Sequence, residues 1–135
     1  MVNGEVSIVA MAPQALARAQ QLALGLALPL LGCSADVSGM VLEVYPDRLA
    51  LRNCAQPGTH ALVIDPQHGR RPAPGRDLIT RSLGRGCRSI IDATAGFGAD
   101  AFDFVRRGKK VIAIERVGVI AAMLEDAAQR FRFQD

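Results

Sequence analysis

A chain of 135 residues has room for one ordinary domain, or for one small domain and part of a second. Half of its residues are apolar and 21% are charged, as a packed soluble core requires, while five Phe, one Tyr and no Trp argue against a binding surface of stacked rings. The net charge of +3 is uneven: residues 66–88 carry six arginines and one aspartate, a local +5, so the remainder sums to −2. Arginine binds phosphate bidentately, so this segment reads either as a nucleic-acid contact or as a solvated linker.

Val6 to Ala10 is a short apolar run that predicts a strand. Pro13 suits the first turn of a helix, and Ala15, Leu16, Ala19, Leu22, Ala23 and Leu26 recur at helical spacing. The helix is predicted from Pro13 to about Leu24, with Gly25 marking its end and Pro29 preventing its continuation. The apolar stretch Leu22–Leu31 is too short to span a bilayer and reads as a buried helix end and its connection, with no targeting segment. Met40–Tyr45 and Arg48–Asn53, separated by Pro46 and Asp47, alternate as a hairpin with one buried face and one wet face, Glu43, Arg48 and Arg52 lying on the wet one. After the turn Gln56-Pro57-Gly58, His60–Asp65 reads as a third strand.

Residues 1–66 are therefore expected to form a small β-α-β-β-β module without catalytic clusters, and His60 and His68 read as ordinary surface residues. Residues 67–87 form a basic loop and a short helix, Arg76–Leu83, closed by Gly84 and Gly86. Cys33, Cys54 and Cys87 are odd in number and lack metal-site spacing, so they read as reduced thiols of a cytoplasmic protein without a metal.

From residue 88 the pattern changes. Ser89–Asp92 reads as a buried parallel-type strand, Ala99–Arg107 as a helix ended by Gly108, Lys110–Glu115 as a second strand and Val117–Arg130 as a second helix. Strand–helix–strand–helix implies a parallel sheet with right-handed crossovers. Two parallel strands make an unusually small sheet, so residues 88–135 read as the first half of a Rossmann-like domain whose remainder lies beyond Asp135.

The loop between the strands carries the chemistry. Gly96-Phe97-Gly98-Ala99-Asp100-Ala101 fits the dinucleotide pattern G-x-G-x-x-A, but Asp92 precedes it and Asp100 follows it. A diphosphate at that helix N-terminus would be repelled by both carboxylates. S-adenosyl-L-methionine presents an ammonium and a sulfonium instead, and both favour carboxylates. Glu115, nineteen residues after Gly96, stands where an acid accepts hydrogen bonds from a ribose diol, which suits either nucleoside cofactor. The plainer reading makes Asp100 a helix-dipole acid and Glu115 a strand-end surface residue. Glycine at 96 and 98 leaves room for close approach of a cofactor to the backbone.

The stretch Ile91-Asp-Ala-Thr-Ala-Gly-Phe-Gly-Ala-Asp-Ala-Phe, with Ile114-Glu-Arg and Val119-Ile-Ala-Ala-Met-Leu-Glu-Asp, closely resembles the bacterial ribosomal small subunit methyltransferase J family. Pro74-Gly75-Arg76-Asp77 resembles that family's glycine–arginine segment ahead of its first methyltransferase strand. The resemblance implies a Rossmann-like, S-adenosylmethionine-dependent methyltransferase domain acting on the exocyclic N2 of a guanosine in 16S rRNA, with the small ribosomal subunit as partner. Carried over, it implies cofactor contacts at Ala99, Asp100, Glu115 and Arg116, beside Asp92, Gly96 and Gly98. Position 99 departs from the family, which usually has Arg there. The family's Asp-Pro-x-Phe-Pro catalytic segment is absent, so no catalytic residue is expected within this chain, and the chain alone is expected to be inactive. Arg70, Arg71 and Arg76 are the expected RNA contacts. An NAD(P)-dependent oxidoreductase fragment and a non-catalytic RNA-binding protein are the alternative readings.

Overall fold

The computed structural model describes residues 6–32, 37–67 and 78–132. It divides into two compact units, Met1–Ile64 and Asp65–Asp135.

In the first unit, Val6–Ala10 forms β1, with Ile8 and Val9 buried. A 3-10 turn at Pro13–Ala15 leads into α1, Leu16–Leu26. The helix runs through Gly25 instead of ending there. It stops where Ala27 takes a left-handed φ of 53°. The N–H groups of Ala27 and Leu28 then donate to the carbonyls of Leu24 and Ala23 at 3.3 and 3.0 Å. This is a Schellman closure built on alanine, a residue without glycine's freedom at positive φ.

The chain next delivers Leu30–Leu31 as β2, parallel to β1 with Leu30 opposite Ile8. The sequence pattern read this stretch as a connection, since two residues are too few to show alternation. Met40–Val44 forms β3 and Leu49–Asn53 forms β4, an antiparallel pair with Leu42 opposite Leu51. The sheet order is β2-β1-β3-β4, with β1 parallel to β3. Ile8, Ala19, Leu42, Val44 and Leu49 form the core of this unit.

Two expectations are corrected here. Glu43 does not lie on a wet face, being only 4% exposed. Its carboxylate accepts from Arg52 Nε at 2.5 Å and from the Tyr45 hydroxyl at 3.0 Å. Residues on both faces of β3 are buried, Val41 and Glu43 on one and Leu42 and Val44 on the other, and a charge buried there requires partners. The third strand expected at His60–Asp65 reduces to one antiparallel bridge between Leu51 and Leu62.

The second unit carries α2 (Leu78–Ser82), β5 (Ser89–Asp92), α3 (Ala99–Arg106), β6 (Lys110–Ala113) and α4 (Gly118–Arg132). β5 and β6 pair in parallel, with Ile90 opposite Val111 and Ile91 opposite Ile112. α3 is the crossover and packs beside β6. It meets α4 through Phe102 and Phe131, whose ring centroids are 5.8 Å apart. Ala101, Phe102, Phe104, Met123, Leu124 and Ala127 are buried.

β5 is not the fully buried strand its apolar run suggests. Ile90 and Val111 are half-buried, whereas Ile91 is 67% and Ile112 62% exposed. Period-two alternation explains this: one face of the pair is covered and the other is open.

Candidate functional site

The site forms at the carboxyl ends of β5 and β6, the position at which open α/β sheets hold their ligands. β5 ends in Asp92, whose Oδ1 accepts the Thr94 N–H at 3.1 Å and starts the turn. The Asp92 carbonyl accepts the Ile114 N–H at 2.8 Å, and the Ala95 N–H donates to the Ile114 carbonyl at 3.0 Å. These bonds carry the strand pairing into the loop, so the glycine turn is fixed against the end of β6.

Gly96 and Gly98 both have positive φ, 52° and 78°. The Gly98 N–H donates to the Ala95 carbonyl at 2.8 Å, and the Gly98 carbonyl accepts the Phe102 N–H at 2.8 Å, opening α3. No side chain caps this helix. Asp100 stands in its first turn, exposed, where its charge complements the positive helix end. Ala99 and Arg116 are exposed as well.

Glu115 closes the site from the β6 side. Its Oε2 accepts the Gly96 N–H at 3.0 Å and its Oε1 the Val117 N–H at 2.7 Å. The Val117 bond above all, then the Gly96 bond and the backbone N–H and charge of Arg116, outweigh the opposing effect of burial and hold the Glu115 carboxyl below the usual glutamate range. The structure thus brings Asp92, Gly96, Gly98, Ala99, Asp100, Glu115 and Arg116 to one end of the β5–β6 pair. Arg70, Arg71 and Arg76 lie outside the described residues. Arg81, Arg85 and Arg88 are exposed.

Three contributors were not legible beforehand. The Val117 N–H is the second anchor of Glu115, and backbone donors leave no trace in residue type. Leu124 and Phe102 pack against Gly98, and helical spacing alone gave Leu124 only a place on an apolar face.

The donor set suits a nucleoside cofactor with cationic character. A carboxylate has about four acceptor positions, and two of those on Glu115 are filled, so acceptors remain for diol hydroxyls. Asp92 and Asp100 add negative charge where a diphosphate would need donors. Among the described residues, no group of three or more His, Cys, Asp or Glu could hold a metal ion. No described helix is long and apolar enough to cross a membrane.

A family model described as "Putative SAM-dependent methyltransferase" matches residues 26–135. The chain is 33% identical over 138 residues to ribosomal RNA small subunit methyltransferase J of Coxiella burnetii, covering 96% of this chain and 54% of the relative. It is 38% identical over 129 residues to the protein of that name in Alkalilimnicola ehrlichii, covering 89% and 49%. The chain spans about half the length of these curated relatives. The crystal structure of a SAM-dependent methyltransferase from Neisseria gonorrhoeae superposes with a TM-score of 0.72 at 24% identity, over 95% of this chain and 54% of that one. The fold is accordingly α/β and Rossmann-like in the manner of a methyltransferase.

Proposed function

The chain belongs to the SAM-dependent methyltransferase family, whose cofactor is S-adenosyl-L-methionine, and we propose that residues 89–118 form one wall of its cofactor site. The observation that carries this reading is the Glu115 carboxylate at the carboxyl ends of two parallel strands, bound to the Gly96 N–H. In the proposal Glu115 accepts from the ribose hydroxyls, and Asp92 and Asp100 set a negative potential for the cationic part of the cofactor. Gly96 and Ala99 give the ligand access to the backbone, Gly98 lets the turn pack on Leu124 and Phe102 beside the site, and Arg116 flanks it.

The activity proposed for the whole protein is methylation of the exocyclic N2 of a guanosine in 16S rRNA. The names of the curated relatives support the ribosomal RNA part of this reading. The bound cofactor would supply an electrophilic methyl group. The protein must then hold an unstacked base in line with it, because the delocalised lone pair of the amine makes a poor nucleophile. Arg70, Arg71 and Arg76 are proposed to hold the RNA phosphates. Residues 1–135 alone are proposed to bind the cofactor without turnover.

Calorimetry with S-adenosylmethionine and with NADH tests the cofactor. Binding of the first alone is expected, and tight binding of NADH alone would favour an oxidoreductase fragment. Replacing Arg70, Arg71 and Arg76 by Ala should weaken RNA binding and flatten its salt dependence. An unchanged slope would make the arginines a linker.

A further inference from the structure

Glu115 does more in this structure than present acceptors to a ligand. Its two oxygens are each engaged by a backbone N–H, from Gly96 at 3.0 Å and from Val117 at 2.7 Å. One donor belongs to the glycine turn that leaves β5. The other belongs to the turn that enters α4. A single side chain thus ties together the two loops that border the site.

The backbone gives reasons for this tie. Gly96 sits at a positive φ of 52°, and a Cβ placed there would meet only the Thr94 carbonyl at 4.0 Å. Packing therefore does little to hold this residue, in contrast to Gly98, which is enclosed by Leu124 and Phe102. Two bonds fasten the turn to the β6 side: the Ala95 N–H on the Ile114 carbonyl, and the Gly96 N–H on Glu115. The second is made by an ionised carboxylate, the stronger kind of acceptor.

We infer that Glu115 is the positioning residue of the glycine loop, stapling Gly96 to the Val117 turn through bonds internal to the chain. The loop is then already ordered when the cofactor binds, and the ordering cost falls on folding instead of on binding. The oxygens keep further acceptor capacity, so hydroxyls can join the staple without displacing it. The staple itself stands on these two hydrogen bonds within the chain, whereas its use in cofactor binding rests on the function proposed above.

Amide–water exchange measured by NMR on the 135-residue chain, without ligand, tests this directly. Replacing Glu115→Ala should speed exchange at both Gly96 and Val117 by about 5-fold or more, as expected when a net hydrogen bond is lost. Glu115→Gln serves if the alanine variant does not fold. Its amide nitrogen cannot accept, so exchange should rise at one of the two amides and stay slow at the other. Amides within α3 should be unmoved in both variants. Unchanged exchange at Gly96 and Val117 in a folded variant would overturn the inference and leave Glu115 a ligand contact only. Titration of the wild-type chain with S-adenosylhomocysteine is read separately: absence of binding there would count against the proposed function, while the exchange rates still decide the staple.

Discussion

Gly98 lies against Leu124 so closely that a Cβ at position 98 would stand 2.4 Å from Leu124 Cδ1 and 2.9 Å from Phe102 Cε2. A side chain here would have to displace Leu124 and Phe102 at the joint where α4 packs on the start of α3. Gly98 also holds a φ of 78°, which an L side chain rarely adopts. Gly98→Ala should destabilise the second unit by about 1–3 kcal/mol, from overpacking and backbone strain together. Gly96→Ala carries strain alone and should cost about 1 kcal/mol. Urea unfolding of the two variants, followed by amide signals of residues 89–132, checks the order. Equal losses would show that Leu124 moves aside freely. Gly98→Val should abolish S-adenosylmethionine binding by distorting the start of α3, and unchanged affinity in calorimetry would show that the helix start tolerates a side chain there.

The buried charge of the first unit offers a second test. Arg52 reaches Glu43 with Nε at 2.5 Å and Nη2 at 3.4 Å, and its Nη1 donates to the Thr59 carbonyl at 3.3 Å. Register explains the meeting: Arg52 faces Val41 and is the diagonal neighbour of Glu43 across the pair. Arg52→Ala leaves a carboxylate without its cation in a covered position. Because the Arg52 side chain is itself 38% exposed, the full cost of breaking a buried pair is reduced by solvent. A loss of about 1–2 kcal/mol is expected in thermal or urea unfolding. Arg52→Lys should recover only part of it, since a lysine cannot reproduce the fork. No measurable loss in Arg52→Ala would mean that Tyr45 and water suffice for Glu43.

Glu115 gives stability a pH dependence whose sign is fixed. The Val117 and Gly96 hydrogen bonds lower its carboxyl in the folded chain below the ordinary glutamate range. The unfolded chain therefore takes up the proton first as pH falls. The contribution of Glu115 is present above the ordinary range and is lost as pH drops through it towards the lower folded value. Wild type should exceed Glu115→Gln in stability near neutrality, and the gap should close as pH falls through and below the ordinary glutamate range. Unfolding curves at a series of pH values read this gap. A gap independent of pH would show that the carboxylate charge has no part in the staple.

Much of the second unit could be read from sequence because its signals are local and mutually consistent. Apolar runs ending in Asp92 and near Glu115, two glycines and helical spacing together define a strand–loop–helix–strand unit. What could not be read was set by tertiary neighbours. The exposure of Ile91 and Ile112 depends on which face of a pair is covered, and an apolar run is silent on that. Glu43 looked solvent-facing because alternation assigns a face but does not tell whether Arg52 and Tyr45 close over it. The backbone donors to Glu115 belong to positions whose side chains play no part.

The end of α1 shows the same limit in a form that can be tested by exchange of two residues. Gly25 looked like the stop signal, yet it lies inside the helix, and a Cβ there would meet nothing within 4 Å. Ala27, two residues later, holds the left-handed position that closes the helix at φ 53°. Each residue sits where the other would be favoured. Glycine inside a helix costs about 0.5–1 kcal/mol relative to alanine, and alanine in the left-handed region about 1–2 kcal/mol relative to glycine. Gly25→Ala and Ala27→Gly should therefore each stabilise the first unit, by about 0.5–1 kcal/mol apiece once the greater freedom of glycine in the unfolded chain is counted against the second. The double variant should approach the sum in urea unfolding followed at residues 6–32. Destabilisation by Ala27→Gly would mean that the helix does not close at Ala27 in solution, and destabilisation by Gly25→Ala that the helix ends before it.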